Sequence, residues 1–66
     1  MVAFEVKDMT CGHCVASVTR AVQAVDAQAK VQVDLAQHRV EIETGSAPLQ
    51  ALQAAIEDAG FTPVPV

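Results

Sequence analysis

Tryptophan and tyrosine are absent from this chain of 66 residues, and phenylalanine occurs only twice. A core must therefore come mainly from Val and Ala, which allows a compact but small interior, near the lower limit of what folds unaided. Basic residues are also scarce. Lys7, Arg20, Lys30 and Arg39 stand against eight acids, for a net charge of −4. They are scattered, so the chain has no electrostatic footprint for nucleic acid or for an anionic membrane surface. No apolar run approaches the ~20 residues that span a bilayer, which argues against membrane insertion. The start, Met1-Val2-Ala3-Phe4-Glu5-Val6-Lys7-Asp8, lacks the basic segment and apolar run of a secretory signal. The expected compartment is the cytoplasm, where thiols stay reduced. No Ser/His/Asp arrangement and no phosphate-cradling glycine loop is present.

What remains is 52% apolar and 18% charged, a composition that excludes disorder. Val2, Phe4 and Val6 alternate with Ala3, Glu5 and Lys7, which predicts a strand with one buried face. Asp8 to Gly12 is too short and polar to be anything but a loop. From about His13 the period changes: Val15, Val18, Val22 and Val25 form one helical stripe, ended by Asp26 to Ala29. Val31, Val33 and Leu35 predict a second strand, Ala36-Gln37-His38 a tight connection, and Val40, Ile42 and Thr44 a third strand. Gly45-Ser46 breaks it. Ser46 suits an N-cap and Pro48 the first turn of a helix whose stripe is Leu49, Leu52, Ile56 and Ala59. Gly60 suits the left-handed position just past that helix, with Phe61 packing back on its last turn. Phe61 to Val66 is a short last strand, and Pro63 and Pro65 restrict it to a sheet edge. The order βαββαβ points to an α+β, ferredoxin-like fold in a single domain, residues 1–66. It has a four-stranded antiparallel sheet in the order 4-1-3-2, with two helices on one face.

The chemistry resides in Met9-Thr10-Cys11-Gly12-His13-Cys14, which holds the only two cysteines. In this frame Cys11 lies in the loop after the first strand and Cys14 in the first turn of the helix. A helix N-terminus carries unpaired N–H groups and partial positive charge, which favour thiolate, the form that binds metal. The small Gly12 lets the loop bend so that both sulfurs can face one centre. Two thiolates suffice for a soft d10 ion in linear coordination, such as Cu(I). Structural zinc usually takes four ligands and catalytic zinc three plus water. Only Asp8, Met9, His13 and His38 could supply more donors, and none has an obvious geometry for it. An exposed two-ligand site also accepts an incoming thiolate, which suits transfer better than storage. Hg(II) shares this preference for two thiolates, and Zn(II) is a further alternative cargo. Cys-Gly-His-Cys is also the active-site tetrapeptide of protein disulfide isomerases. A dithiol–disulfide oxidoreductase is therefore the alternative from another class. Against it stand Thr10 in place of Trp, the short chain and the element order.

The hexapeptide resembles the Met-x-Cys-x-x-Cys signature of heavy-metal-associated domains, and is especially similar to that of small bacterial copper chaperones, several of which carry His before the second Cys. The resemblance extends over the whole chain, through length, element order and Ala59-Gly60-Phe61 ahead of the last strand. It implies a ferredoxin-like fold and Cu(I) held by Cys11 and Cys14. It also implies delivery to the metal-binding domains of a copper-transporting P-type ATPase. Zinc-type relatives tend to place Asp before the first Cys; Thr10 there favours copper. The chain departs from the family in two places. Asp8 replaces the usual Gly before Met, and Phe61 stands where free-standing bacterial chaperones often have Tyr. Phe is more typical of ATPase-linked domains, although Met1 directly before the first strand favours a free-standing protein. Around the cysteines, His13 is either a solvated surface residue or an extra ligand in a metal-bridged homodimer. Met9 is expected to plug the core beneath the loop. Thr10 is expected to hydrogen-bond within the loop, and Phe61 to shield the sulfurs from water. Asp8 is expected to be merely solvated. His38 is placed in the turn between the second and third strands, about two strand spacings from the site.

Overall fold

A computed structural model of the chain describes residues 2–66. The alternating segments form β1 (Val2–Val6), β2 (Lys30–Asp34) and β3 (Arg39–Glu43). The two striped segments form α1 (Gly12–Val25) and α2 (Leu49–Asp58), and Pro63–Pro65 form β4. All strand pairs are antiparallel, in the order β2-β3-β1-β4. The fold is thus the ferredoxin-like βαββαβ arrangement that the sequence predicts, with the proline-containing strand on an edge.

Register decides which side is buried. Phe4 lies opposite Val40 and Val2 opposite Ile42, whereas Ala3 faces Glu41 and Glu5 faces Arg39 on the other surface. Phe4, Val6, Val40 and Ile42 belong to one buried cluster with Val18 and Val22 of α1 and Leu52 and Ile56 of α2. Both helices therefore cover the same face of the sheet. Met9, in the loop between β1 and α1, is buried in this cluster as well. Truncating one of these fully buried large side chains, Phe4→Ala for example, would cost about 3–5 kcal/mol.

The apolar patterns overreach at their ends. Val25 and Leu49 are the end residues of their helices and Leu35 lies past its strand, and all three are more than a third exposed. Leu35 lies outside β2, which stops at Asp34, and Thr44 outside β3, which stops at Glu43. The Asp34 carboxylate accepts the Gln37 N–H at 3.2 Å and starts the turn one residue early. Ser46 does not cap α2. Pro48 occupies the N-cap position, with no side-chain cap hydrogen bond, and the Ser46 N–H instead donates to Asp26. The C-terminus of α2 follows its local signal. Gly60 has φ +98°, the Phe61 N–H reaches the Ile56 carbonyl and the Gly60 N–H reaches that of Glu57. This is a Schellman closure, in which glycine avoids the Cβ penalty of the left-handed region.

Asp26 is the one buried charged residue among those described. Its Oδ2 accepts N–H bonds from Gly45, Ser46 and Ala47 at 2.6, 2.9 and 3.3 Å, and its Oδ1 one from Gln28 at 3.1 Å. A single carboxylate thereby joins the end of α1 to the β3–α2 loop. These N–H donors, that of Ser46 first, hold its pKa below the ordinary carboxylate value, against desolvation.

Candidate metal centre

Strand β1 runs toward the loop that carries Met9 to Cys11, and β3 and β4 both begin at that same end, because they pair antiparallel with β1. The loop is therefore flanked by the β2–β3 turn on one side and the α2–β4 loop on the other. Met9 anchors it: its side chain is fully buried and its N–H donates to the Val6 carbonyl at 3.2 Å. Cys11 is the N-cap of α1, with φ −150° and ψ 171°, and its carbonyl accepts the Val15 N–H at 3.2 Å. Cys14 lies in the first turn, half-buried against the core, while Cys11 is exposed.

The two sulfurs are 3.1 Å apart. Both thiols are free, so the contact is a thiol–thiol or thiol–thiolate hydrogen bond. The Cys14 thiol is held below its ordinary range chiefly by this bond with Cys11 Sγ. The Thr10 and Cys11 amide groups act in the same direction, and partial desolvation and the Asp8 charge oppose them. The first turn of α1 contains no acidic residue and Cys11 supplies no capping side-chain hydrogen bond. A thiolate at Cys14 is consequently the negative group closest to the positive end of the helix. Among the described residues no group of three or more His, Cys, Asp or Glu side chains is arranged to hold a metal. The donor set is two soft sulfurs. A linear ion bonded at about 2.3 Å to each sulfur spans about 4.6 Å. Loading must therefore part the sulfurs, and the exposed Cys11 is the one with room to move.

His13 is exposed on α1 and Thr10 is exposed in the loop; Thr10 acts on Cys14 through its backbone rather than its hydroxyl. Phe61 is half-buried and packs against the core. Its neighbour Thr62 meets the metal loop directly, its N–H donating to Asp8 Oδ1 at 3.2 Å. Asp8 is therefore not merely solvated: it ties the α2–β4 loop to the cysteine loop. Its place where the similar family has Gly was the available signal. His38 also differs from its sequence reading. It lies beside the end of β1, one strand away rather than two, because β3 is the strand next to β1, as the expected order 4-1-3-2 already implies. Its carbonyl accepts the Val6 N–H at 2.7 Å and its Nδ1 is 3.1 Å from the Met9 carbonyl oxygen. Gly12, by contrast, has an ordinary φ and open space where a Cβ would be. The loop reaches its shape without demanding glycine there.

The family model described as "Heavy-metal-associated domain" matches residues 3–62. The chain is 39% identical over 59 residues to "Copper-transporting ATPase 2" of Rhizobium meliloti, covering 86% of this chain but only 7% of that protein. It is 35% identical over 60 residues to "Copper chaperone CopZ" of Enterococcus hirae, covering 88% of this chain and 87% of that one. Among solved structures, that of a gold binding protein superimposes with a TM-score of 0.93 at 36% identity, over 100% of both chains.

Proposed function

The chain belongs to the heavy-metal-associated domain family, and from that premise we propose that it is a Cu(I) carrier rather than an enzyme. In this reading residues 1–66 act as one domain in the cytoplasm. Cys11 and Cys14 bind the ion as thiolates, with His13, Met9, Thr10 and Phe61 as its surroundings. A Cys pair of a copper-transporting P-type ATPase domain receives the ion by thiolate exchange. The observation that carries this reading is the pair of free sulfurs 3.1 Å apart at an exposed helix N-terminus. Two thiolates, with no third His, Cys, Asp or Glu donor grouped beside them among the described residues, suit a soft monovalent ion in linear coordination. The copper chaperone matched over most of its length supports the carrier role, and the ATPase segments of similar sequence support the partner.

Transfer then has a simple path. The bond with Cys11 Sγ lowers the Cys14 pKa and so favours thiolate at that sulfur, and Cys11 is the exposed sulfur. An incoming thiolate adds to the two-coordinate ion, Cys11 leaves first, and a second partner sulfur releases the ion from Cys14. Each step forms one metal–sulfur bond before another breaks, so no bare ion is released.

Competition against a strong Cu(I) chelator at neutral pH tests the reading. Tight one-to-one binding by the wild type, lost in Cys11→Ser and Cys14→Ser, is expected; weak binding, or binding indifferent to those changes, overturns it. The structural likeness to a gold binding protein favours a second reading, in which Au(I) occupies the same two sulfurs. Parallel competition with Au(I), Hg(II) and Zn(II) ranks the cargoes. Insulin reduction without metal would instead mark a dithiol oxidoreductase. Sedimentation with and without Cu(I) tests the metal-bridged homodimer with His13 at its rim.

A further inference from the structure

The β2–β3 turn contributes to the metal loop through a residue that motif and spacing do not single out. We propose that His38 is a positioning residue for the cysteine loop, holding the Met9 carbonyl and through it the path of Thr10 and Cys11. Three observations carry this. His38 Nδ1 lies 3.1 Å from the Met9 carbonyl oxygen, across 29 residues of sequence. A carbonyl only accepts, so Nδ1 must carry the hydrogen and the imidazole is the donor. His38 also has φ +54°, the one non-glycine residue in the left-handed region among the described residues. That conformation is sparsely populated by residues with a Cβ, and it persists only where the surroundings specify it. Finally, the His38 carbonyl takes the Val6 N–H at 2.7 Å. The turn is thus fastened to the end of β1 by its backbone and to the start of the loop by its side chain.

The consequence lies at the sulfurs. Met9 is pinned by its buried side chain and by its N–H, and His38 fixes the remaining polar group of its peptide. The direction in which the chain leaves Met9 sets where the Thr10 and Cys11 amides point, and those amides act on Cys14. With the Met9 carbonyl released, the loop would rotate about its buried anchor, and the separation of the sulfurs would be less defined. The inference rests on the carrier reading only for its effect on metal; its effect on the metal-free loop stands apart from it.

Two substitutions separate the imidazole's hydrogen bond from the turn's backbone requirement. His38→Gly satisfies the left-handed φ and removes the donor. His38→Asn tolerates the same φ, and its Nδ2 occupies the place of the imidazole Nδ1, so it keeps a donor. Backbone order parameters of the metal-free protein are the primary readout. His38→Gly should lower the values at Thr10 and Cys11 from about 0.85 toward 0.6, whereas His38→Asn should stay near the wild type. For the loaded protein, Cu(I) release to a chelator should quicken about fivefold in His38→Gly, the factor set by one ordinary hydrogen bond, and little in His38→Asn. If His38→Gly leaves the loop as ordered as in the wild type, or if both variants loosen it equally, His38 serves the turn alone and the proposal fails. If no variant binds Cu(I), the carrier reading fails while the order parameters still decide the role of His38.

Discussion

The two ends of α1 are built on opposite terms. The helix has 14 residues and so spans about 21 Å. At its C-terminus the Asp26 carboxylate collects four backbone N–H bonds and is itself buried. A carboxylate at that end opposes the helix dipole, so those donors must offset both the dipole and the desolvation. At its N-terminus two sulfurs have each other, a few amide dipoles and open solvent. The loop that carries them is held by the buried Met9 and its N–H bond to Val6, by one hydrogen bond from His38 at 3.1 Å and by one to Asp8 at 3.2 Å. The difference teaches where this small domain places its densest hydrogen bonding. The carboxylate lock lies at the end of α1 away from the cysteines, whereas at the cysteine end the exposed Cys11 faces solvent, open to an ion and to an incoming thiolate.

The sharpest way to break the contrast is at the locked end. Asp26→Ala orphans three adjacent N–H groups of the β3–α2 loop, and the melting temperature should fall by about 10 °C or more. Thiol reactivity at the far end should change little while the protein remains folded. The acid limb follows from the same residue. The folded pKa of Asp26 is lowered from 3.8, so its stabilisation is fully present above the ordinary carboxylate range. It is lost as pH falls through the lower folded value. Urea midpoints measured from pH 6 down to pH 2 should show this decline in the wild type and a shallower one in Asp26→Asn.

Gly45→Ala acts on the same lock by crowding rather than deletion. A Cβ there would lie 2.7 Å from Asp26 Oδ1 and 3.1 Å from Gln28 Cβ. The expected cost is about 1–3 kcal/mol by chemical denaturation. At the open end the expected effects are on reactivity instead. Cys11→Ala removes the largest cause of the lowered Cys14 pKa. The pH midpoint for alkylation of Cys14 should then rise toward 9.0, with the melting temperature nearly unchanged. Smallest of all is Gly12→Ala, which meets nothing within 4 Å. It should alter stability by no more than about 1 kcal/mol, in the stabilising direction, since Ala is the better helix former. A large loss from that substitution would mean that the loop depends on its glycine after all.

The same contrast explains which parts of the molecule could be read from its residues. Val2, Phe4 and Val6 announce a strand because alternation is a property of five neighbouring residues. Val18 and Val22, and Leu52 and Ile56, announce helical faces within two turns. Gly60 announces its left-handed cap because the closure involves only Ile56 to Phe61. The cysteine pair is legible for the same reason, three positions apart at the junction of two predictable elements. Asp26, His38 and Asp8 were not legible, because their partners are 19 to 21, 29 and 54 residues away. Asp26 did leave a trace, an acid at the end of a helix where the dipole disfavours it. From the sequence it reads only as part of a helix stop.

Local pattern was enough for the βαββαβ order, for the burial of one sheet face and for two soft donors at a helix N-terminus. Periodicity, propensity and motif spacing act over a few residues and need no knowledge of what folds back. Strand order brought the β2–β3 turn and the α2–β4 loop to the cysteine end, so that His38 and Asp8 meet the loop. It likewise gathered the β3–α2 loop around Asp26. The order 4-1-3-2 was already expected from the chain, but the contacts themselves depend on how each turn and loop settles against its neighbours, a choice made by the packing of the whole chain at once. That is why the donors were visible in the chain while the framework that aims them emerged only from the folded sheet.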